Sequence, residues 1–237
     1  MAAKTNPVPS VWARRREPDQ PALSRAGIVR EAIVMLDAAG VDALSMRKLG
    51  ARLNAGATSL YRHVATKDEL MELAVDEVVA EITVPAAGDA GWRDAAAGTA
   101  RSFRATALRH PWVSSVLGQA GLAYLGPNLM SLSERLAGLF ITAGFPDPSG
   151  AIDVVLSYVI GMSTTEAAWL TTVARSGQTE AAFIAALMPA AAEAAAGYDH
   201  LAESYAAPPP DPAELRDTKF ANGLEIVLDG LALRLPG

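Results

Sequence analysis

Three observations predict an all-α protein. Alanine makes up about a fifth of the 237 residues, a composition that favours helices. Apolar residues recur every three to four positions through most of the chain, the period of a helix with one buried face. No run of useful length alternates apolar and polar residues as a half-buried strand would, and no internal repeat is evident. Hydrophobic residues form 51% and charged residues 19% of the chain, the balance of a soluble globular protein. The absence of cysteine excludes disulfide scaffolds, zinc ribbons and thiol nucleophiles.

Residues 1–22 combine four prolines with Arg14, Arg15 and Arg16, which reads as a flexible basic arm. From Ser24, Ile28, Ala32, Leu36 and Ala39 mark a first helix that Gly40 ends. A second helix starts at Ser45, whose hydroxyl suits an N-cap, and runs to Leu53; Asn54 tolerates the left-handed turn that follows. A third, Ala57 to Val64, is too short to stand alone, and Leu60 and Val64 give it one buried edge. Thr66-Lys67-Asp68-Glu69 is a capping box that opens a fourth helix to near Ile82. Pro85, Gly88 and Gly91 mark a boundary between a domain over 23–84 and a second over 91–237. In the second, helices are expected at Trp92–Arg109, Pro111–Gln119, Pro127–Ala143, Asp147–Arg175, Thr179–Tyr205 and Asp217–Leu235, with a break at Pro208-Pro209-Pro210 and Pro212 that no helix crosses.

The net charge of −6 argues against nucleic acid as a partner only until it is sorted by position. Residues 1–67 hold eleven Lys/Arg against five acids, leaving nine against twenty-one in the remainder. Such asymmetry is expected where one part touches a polyanion and the other does something else. The scattered acids of the second half read as a solvated face. The N-terminus has no apolar stretch ahead of its charges, so no secretory signal is read there. The most apolar stretch, Val154 to Ala174, is interrupted by Glu166 and by Ser157, Ser163, Thr164 and Thr165, and falls short of a bilayer span. A cytoplasmic protein with no membrane partner is the expectation.

A bracing helix followed by two short helices around a tight turn is the helix-turn-helix plan, in which the second short helix enters the major groove. With Leu60 and Val64 inward, Thr58, Ser59, Tyr61, Arg62 and His63 turn toward solvent or a groove. The stretch LSRAGIVREAIVMLDAAGVDALSMRKLGARLNAGATSLYRHVATKDEL, Leu23 to Leu70, resembles the DNA-binding domain of the tetracycline-repressor (TetR) family of bacterial transcriptional regulators. Leu60-Tyr61-Arg62-His63-Val64 with Lys67 is the most specific part of the likeness. The resemblance implies that Arg47 reaches a guanine, and that Ala57, Thr58 and Ser59 face bases, with Ala57 able to offer only a methyl contact. It implies thymine-methyl or backbone contacts for Tyr61 and His63 and a phosphate clamp at Lys67; Met46 stands where a phosphate-binding hydroxyl is common. Ser45 and Arg62 complete the expected DNA-facing set. Tyr61 has a packing alternative, His63 a solvated or capping one, and the Arg14–Arg16 cluster reads equally as a solubilising tail or a groove-binding arm.

The remainder resembles the family's ligand-binding domain more loosely, through Trp92, Arg109-His110-Pro111-Trp112, Gly126-Pro127-Asn128 and the closing helix from Phe220 to Leu231. That implies a helical bundle around a small-molecule pocket, paired with its twin through two long helices. Pocket candidates are Trp92, Phe103, Trp112, Leu117, Tyr124, Met130, Phe140, Met162 and Trp169, with His110 as a polar handle; each has plain core packing, or helix capping for His110, as its alternative. Interface candidates are Val155, Tyr158, Val159 and Met162 on one helix and Phe220, Leu224, Val227, Leu228 and Leu231 on the other. The expected function is a homodimeric, ligand-responsive repressor whose partners are a palindromic double-stranded DNA operator and a small-molecule effector. The alternatives are an activator, a ligand-independent regulator or, from another class, an all-helical enzyme. No phosphate loop, metal-spaced His/Asp/Glu cluster or serine nucleophile motif is present in the sequence, and neither a metal nor a cofactor is expected.

Overall fold

The computed structural model describes residues 23–86, 91–117, 126–201 and 211–236. Every regular element among them is helical: α1 Arg25–Ala39, a single 3-10 turn Val41–Ala43, α2 Met46–Arg52, α3 Ala57–Tyr61, α4 Lys67–Val79, α5 Gly91–Arg109, α6 Pro111–Leu117, α7 Pro127–Thr142, α8 Pro148–Ser176, α9 Glu180–Ala195 and α10 Pro212–Ala232. Tyr124, the Arg14–Arg16 cluster and the break at Pro208–Pro210 fall outside the described residues.

Local chemistry explains the starts. Ser24, Ser45 and Thr66 accept from the backbone N–H groups of Gly27, Lys48 and Glu69, as N-caps must to satisfy the free donors of a first turn. The capping box departs slightly from expectation, because the Glu69 carboxylate accepts from the Ala65 N–H at 2.6 Å, one residue before the cap. Asn54 adopts φ 51°, the left-handed turn expected of it.

Four boundaries differ from the sequence reading, the largest at α9, which ends at Ala195 with Ala196 as its C-cap, ten residues short of the expected end at Tyr205. Helix α3 stops at Tyr61, with Arg62 as its C-cap, although Val64 is still fully buried beyond it. Helix α4 stops at Val79, and Ile82 is buried from a following turn. Helix α10 begins five residues before Asp217: Pro212 occupies its first turn, where no N–H is needed, and Asp211 Oδ1 accepts from the N–H groups of Ala213 and Glu214 at 3.0 Å. Pro212, read as part of a break that no helix crosses, is the first residue of this helix.

The core runs continuously from the first helices into the bundle. Ile28, Ala32, Leu36, Leu49, Leu60, Val64 and Leu70 close α1–α4 on one another. In the bundle, α8 lies against α5, α6, α7 and α10. Ala95, Ala96, Ala100 and Ala107 are all buried on α5, so short side chains let the α5 and α8 backbones approach closely. No described helix is long and apolar enough to cross a membrane.

Candidate nucleic-acid interface and effector cavity

Helices α2 and α3 are held at their angle by backbone as much as by side chains. The Ala55 N–H donates back to the Gly50 carbonyl at 2.8 Å, and fully buried Leu49 and Leu60 close the core as α2 lies against α1 and α3 against α2. Arg52 pairs with Glu31 of α1, and Arg25 of α1 pairs with Glu69 of α4 at 2.9 Å, so two cations brace the unit. Arg47, Lys48 and Arg62 are exposed and form no ion pair among the described residues. Thr58 and Ser59 are exposed, Tyr61 is half exposed, and Ala57 and His63 are partly covered. Exposed Lys67 lays its ammonium 3.5 Å from the Val41 carbonyl. The Ser45 hydroxyl is engaged as the α2 cap. The outcome is a short protruding ridge with free cations and hydroxyls along it and no acid of its own, the equipment for phosphate and base-edge contacts.

Two polar joints tie this unit to the bundle. Asp76 of α4 accepts from the backbone N–H groups of Asn128 and Leu129 at 3.0 and 2.9 Å, and from the Asn128 amide at 3.0 Å, so an α4 carboxylate caps the N-terminus of α7. Asp37 of α1 accepts the Trp112 indole N–H at 2.7 Å and lies 2.8 Å from His110 Nδ1, while Glu81 lies 3.3 Å from His110 Nε2 and pairs with Arg109. Both joints grip the region between α5 and α7.

Among the described residues, two cavities of the bundle stand out. The one among α5, α7 and α8, lined by Phe103 and Phe140, has only about 10 Å³ free, too little for an organic molecule. The other, about 460 Å³, opens between α8, α9 and α10. Met162, Trp169, Ile184, Leu187, Met188 and Leu215 form its apolar walls, and Glu166, Glu180, Arg216 and Lys219 its charged rim. Glu166 is nearly covered: Arg104 binds it with two bonds of 2.7 Å and Arg216 with one of 3.0 Å. Arg216 also pairs with Glu180, which accepts the Trp169 indole N–H at 2.6 Å. The hydrogen bonds that Arg104 donates to Glu166, with a further one to Asp217, outweigh burial and raise the Arg104 pKa; at Arg216 burial pulls down, but Glu180 and Glu166 together raise it. Both guanidiniums therefore stay charged. The Arg104 guanidinium also stacks on the Phe220 ring, 4.9 Å from its centroid. Among the described residues no three His, Asp or Glu side chains gather as metal ligands would.

The profile described as bacterial regulatory proteins of the tetR family matches residues 28–74, and that of the tetracyclin repressor-like C-terminal domain matches residues 84–235. The chain belongs to the TetR family. Among its TetR-family relatives, the HTH-type transcriptional repressor DrrR1 of Streptomyces coeruleorubidus is 33% identical over 232 residues, 93% of this chain and 83% of that one. An HTH-type transcriptional regulator of Saccharopolyspora erythraea is 39% identical over 164 residues, 68% of this chain and 69% of its own. The TetR-family protein ActR of Streptomyces coelicolor, solved in complex with actinorhodin, superposes with a TM-score of 0.72 at 30% identity over 90% of this chain and 98% of ActR.

The pocket residues expected of a TetR-family bundle do not converge. Met162 and Trp169 line the open cavity. Phe103 and Phe140 line the closed one, and Trp92 stacks edge-on to Phe145 beside Phe140. His110 and Trp112 are buried at the Asp37 joint, Leu117 is partly covered, and Met130 is 44% exposed. The interface set needs correction. Val155, Val159, Phe220, Leu224, Leu228 and Leu231 are buried inside the chain itself, closing α8 onto α5 and α10, and offer almost no surface to a second copy. Tyr158, which donates to the Phe220 carbonyl at 2.8 Å, and Met162 and Val227 keep partial exposure. The outer edges carry Val154, Ser157, Gly161, Ala168 and Thr172 on α8 and Asn222, Ile226 and Leu233 around α10, with Ile226 72% and Leu233 85% exposed. The reading of the second-half acids as a solvated face fails for Glu166 and Glu180, which anchor the cavity rim. Asp37, Asp76, Glu81, Arg104 and Arg216 carry the joints and the rim, and no local pattern in the sequence marks them.

Proposed function

We propose that this protein is a ligand-responsive transcriptional repressor that grips a palindromic operator as a homodimer and lets go when a small molecule enters the bundle. One observation carries the reading: a ridge of unpaired cations is rigidly joined, through Asp76 and Asp37, to a bundle with an open apolar cavity. Relatives named as transcriptional repressors and a structural neighbour solved with a small molecule support it. A ligand that prefers one arrangement of the bundle shifts the ridge through these joints, and DNA lowers ligand affinity by the same factor. Arg47, Thr58, Ser59 and Arg62 read base edges; Tyr61, His63 and Lys67 hold the backbone; and the Arg14–Arg16 arm adds a phosphate or minor-groove contact.

Two copies join along the outer edges of α8 and α10, where small side chains on α8 allow close approach and Ile226 and Leu233 supply apolar area. A twofold dimer presents two ridges to half-sites about 34 Å or a multiple apart. Mobility-shift titrations on the DNA upstream of its own gene, at two salt concentrations, test the reading. Binding that weakens steeply with salt is expected, and no binding at low salt refutes it.

A further inference from the structure

We propose that the cavity between α8, α9 and α10 takes a planar apolar acid, an aromatic carboxylate or phenolate, whose anionic group pairs with Lys219. The proposal rests on the regulator reading and adds the chemical class of the ligand.

Volume comes first. About 460 Å³ falls within the range of cavities that enclose drug-sized molecules, whereas the closed core space holds nothing of that kind. The walls then favour a flat guest. The Trp169 ring is pinned through its N–H on Glu180 and by the edge-on ring of Phe183, centroids 5.4 Å apart, so it presents a rigid surface. Met162 and Met188 add polarizable thioethers that adapt to an aromatic face.

Charge decides the remainder. Of the four ionised side chains on the rim, Glu166 is satisfied by Arg104 and Arg216, and Glu180 by Arg216 and the Trp169 indole. A cationic guest would have to displace a guanidinium to reach either carboxylate, losing charge-assisted bonds as it gained one. Lys219 differs. It lies one turn beyond Arg216 on the cavity side of α10, and its ammonium has no carboxylate partner among the described residues. Lys219 is therefore the one charged side chain of the rim without an ion pair among the described residues, and it stands beside the apolar walls. An amphipathic anion satisfies both at once.

Helix α9 makes entry easy. Of its described side chains only Ala195 is buried, so this wall is held by few contacts and moves at little cost.

Calorimetric titration of the full-length protein with 2-naphthoate and with the neutral 2-naphthamide tests the proposal. The acid is expected to bind about tenfold or more tightly than the amide, as one charge-assisted bond in a partly desolvated site should give. Lys219→Met removes that preference and Lys219→Arg restores it, with thermal unfolding of each variant checking that the fold survives. Equal affinity for acid and amide, no binding of either probe, or an acid preference that survives Lys219→Met overturns the assignment. Operator binding by the same wild-type preparation separates the two readings. DNA binding without acid preference refutes the ligand class and leaves the regulator standing, and Lys219-dependent acid binding without DNA binding does the reverse.

Discussion

Gly50 occupies the middle of α2, where helix propensity alone favours alanine by about 1 kcal/mol. A Cβ there would fall 2.7 Å from the Ala55 carbonyl oxygen and 3.5 Å from a methyl of fully buried Leu60. The opposing atom at the shorter distance is backbone, in the turn that joins α2 to α3, and it cannot swing aside as the end of a long side chain would. The turn folds onto α2 as closely as bare backbone allows, which fixes how far α3 projects. Gly50→Ala should therefore lose stability despite better propensity, by about 1–3 kcal/mol net of repacking. Operator affinity should fall more than tenfold, because the shift lies between the two helices proposed to meet DNA. Thermal unfolding and mobility-shift titration read the two effects, and a variant at least as stable as wild type would show that the turn has slack.

Among the elements, α4 and α7 pack against each other, and one α4 carboxylate ties the start of α7. Asp76 supplies to α7 the cap that Gly126 cannot, and a Cβ on Gly126 would collide with that carboxylate, so the two residues fit only as a pair. Asp76→Ala should cost about 1–2 kcal/mol of unfolding free energy and speed amide exchange at Asn128 and Leu129. Asp76→Asn keeps one acceptor and should lose less. Unchanged exchange at both amides in the alanine variant would remove the joint from the coupling route. Capping within one helix was legible in the sequence, since Ser24, Ser45 and Thr66 stand next to the donors they satisfy. Capping between helices was not: Asp76 serves a helix 52 residues away, and Arg104 finds Glu166 across 62, distances over which only packing decides the partner. The same limit hid the interface edges. A stripe such as Phe220, Leu224, Leu228 and Leu231 tells which face of a helix is apolar, not whether its own bundle or a second copy covers it. Here the bundle does.

At the scale of the whole molecule, a chain of net charge −6 binds DNA only if its cations are concentrated and presented together. Concentration is met by the ridge, where Arg47, Lys48, Arg62 and Lys67 are all exposed. Joint presentation requires a dimer, and salt dependence measures it. Each phosphate contact contributes about 0.9 to the slope of log affinity against log salt. In a twofold complex every residue acts twice, so Lys67→Ala should reduce the magnitude of that slope by about 1.8, and by only about 0.9 if one copy binds alone. The value therefore reports stoichiometry as well as contact. Ile226→Glu supplies the control: a charge on an exposed apolar side chain within α10's outer edge should leave the fold intact, convert a dimer to monomer by sedimentation, and roughly halve the slope of whatever binding survives. A Lys67→Ala slope unchanged from wild type would take Lys67 off the DNA. A drop of about 1.8 with Ile226→Glu still dimeric would place the second copy somewhere other than this edge, and a drop of about 0.9 would mean that one copy binds alone.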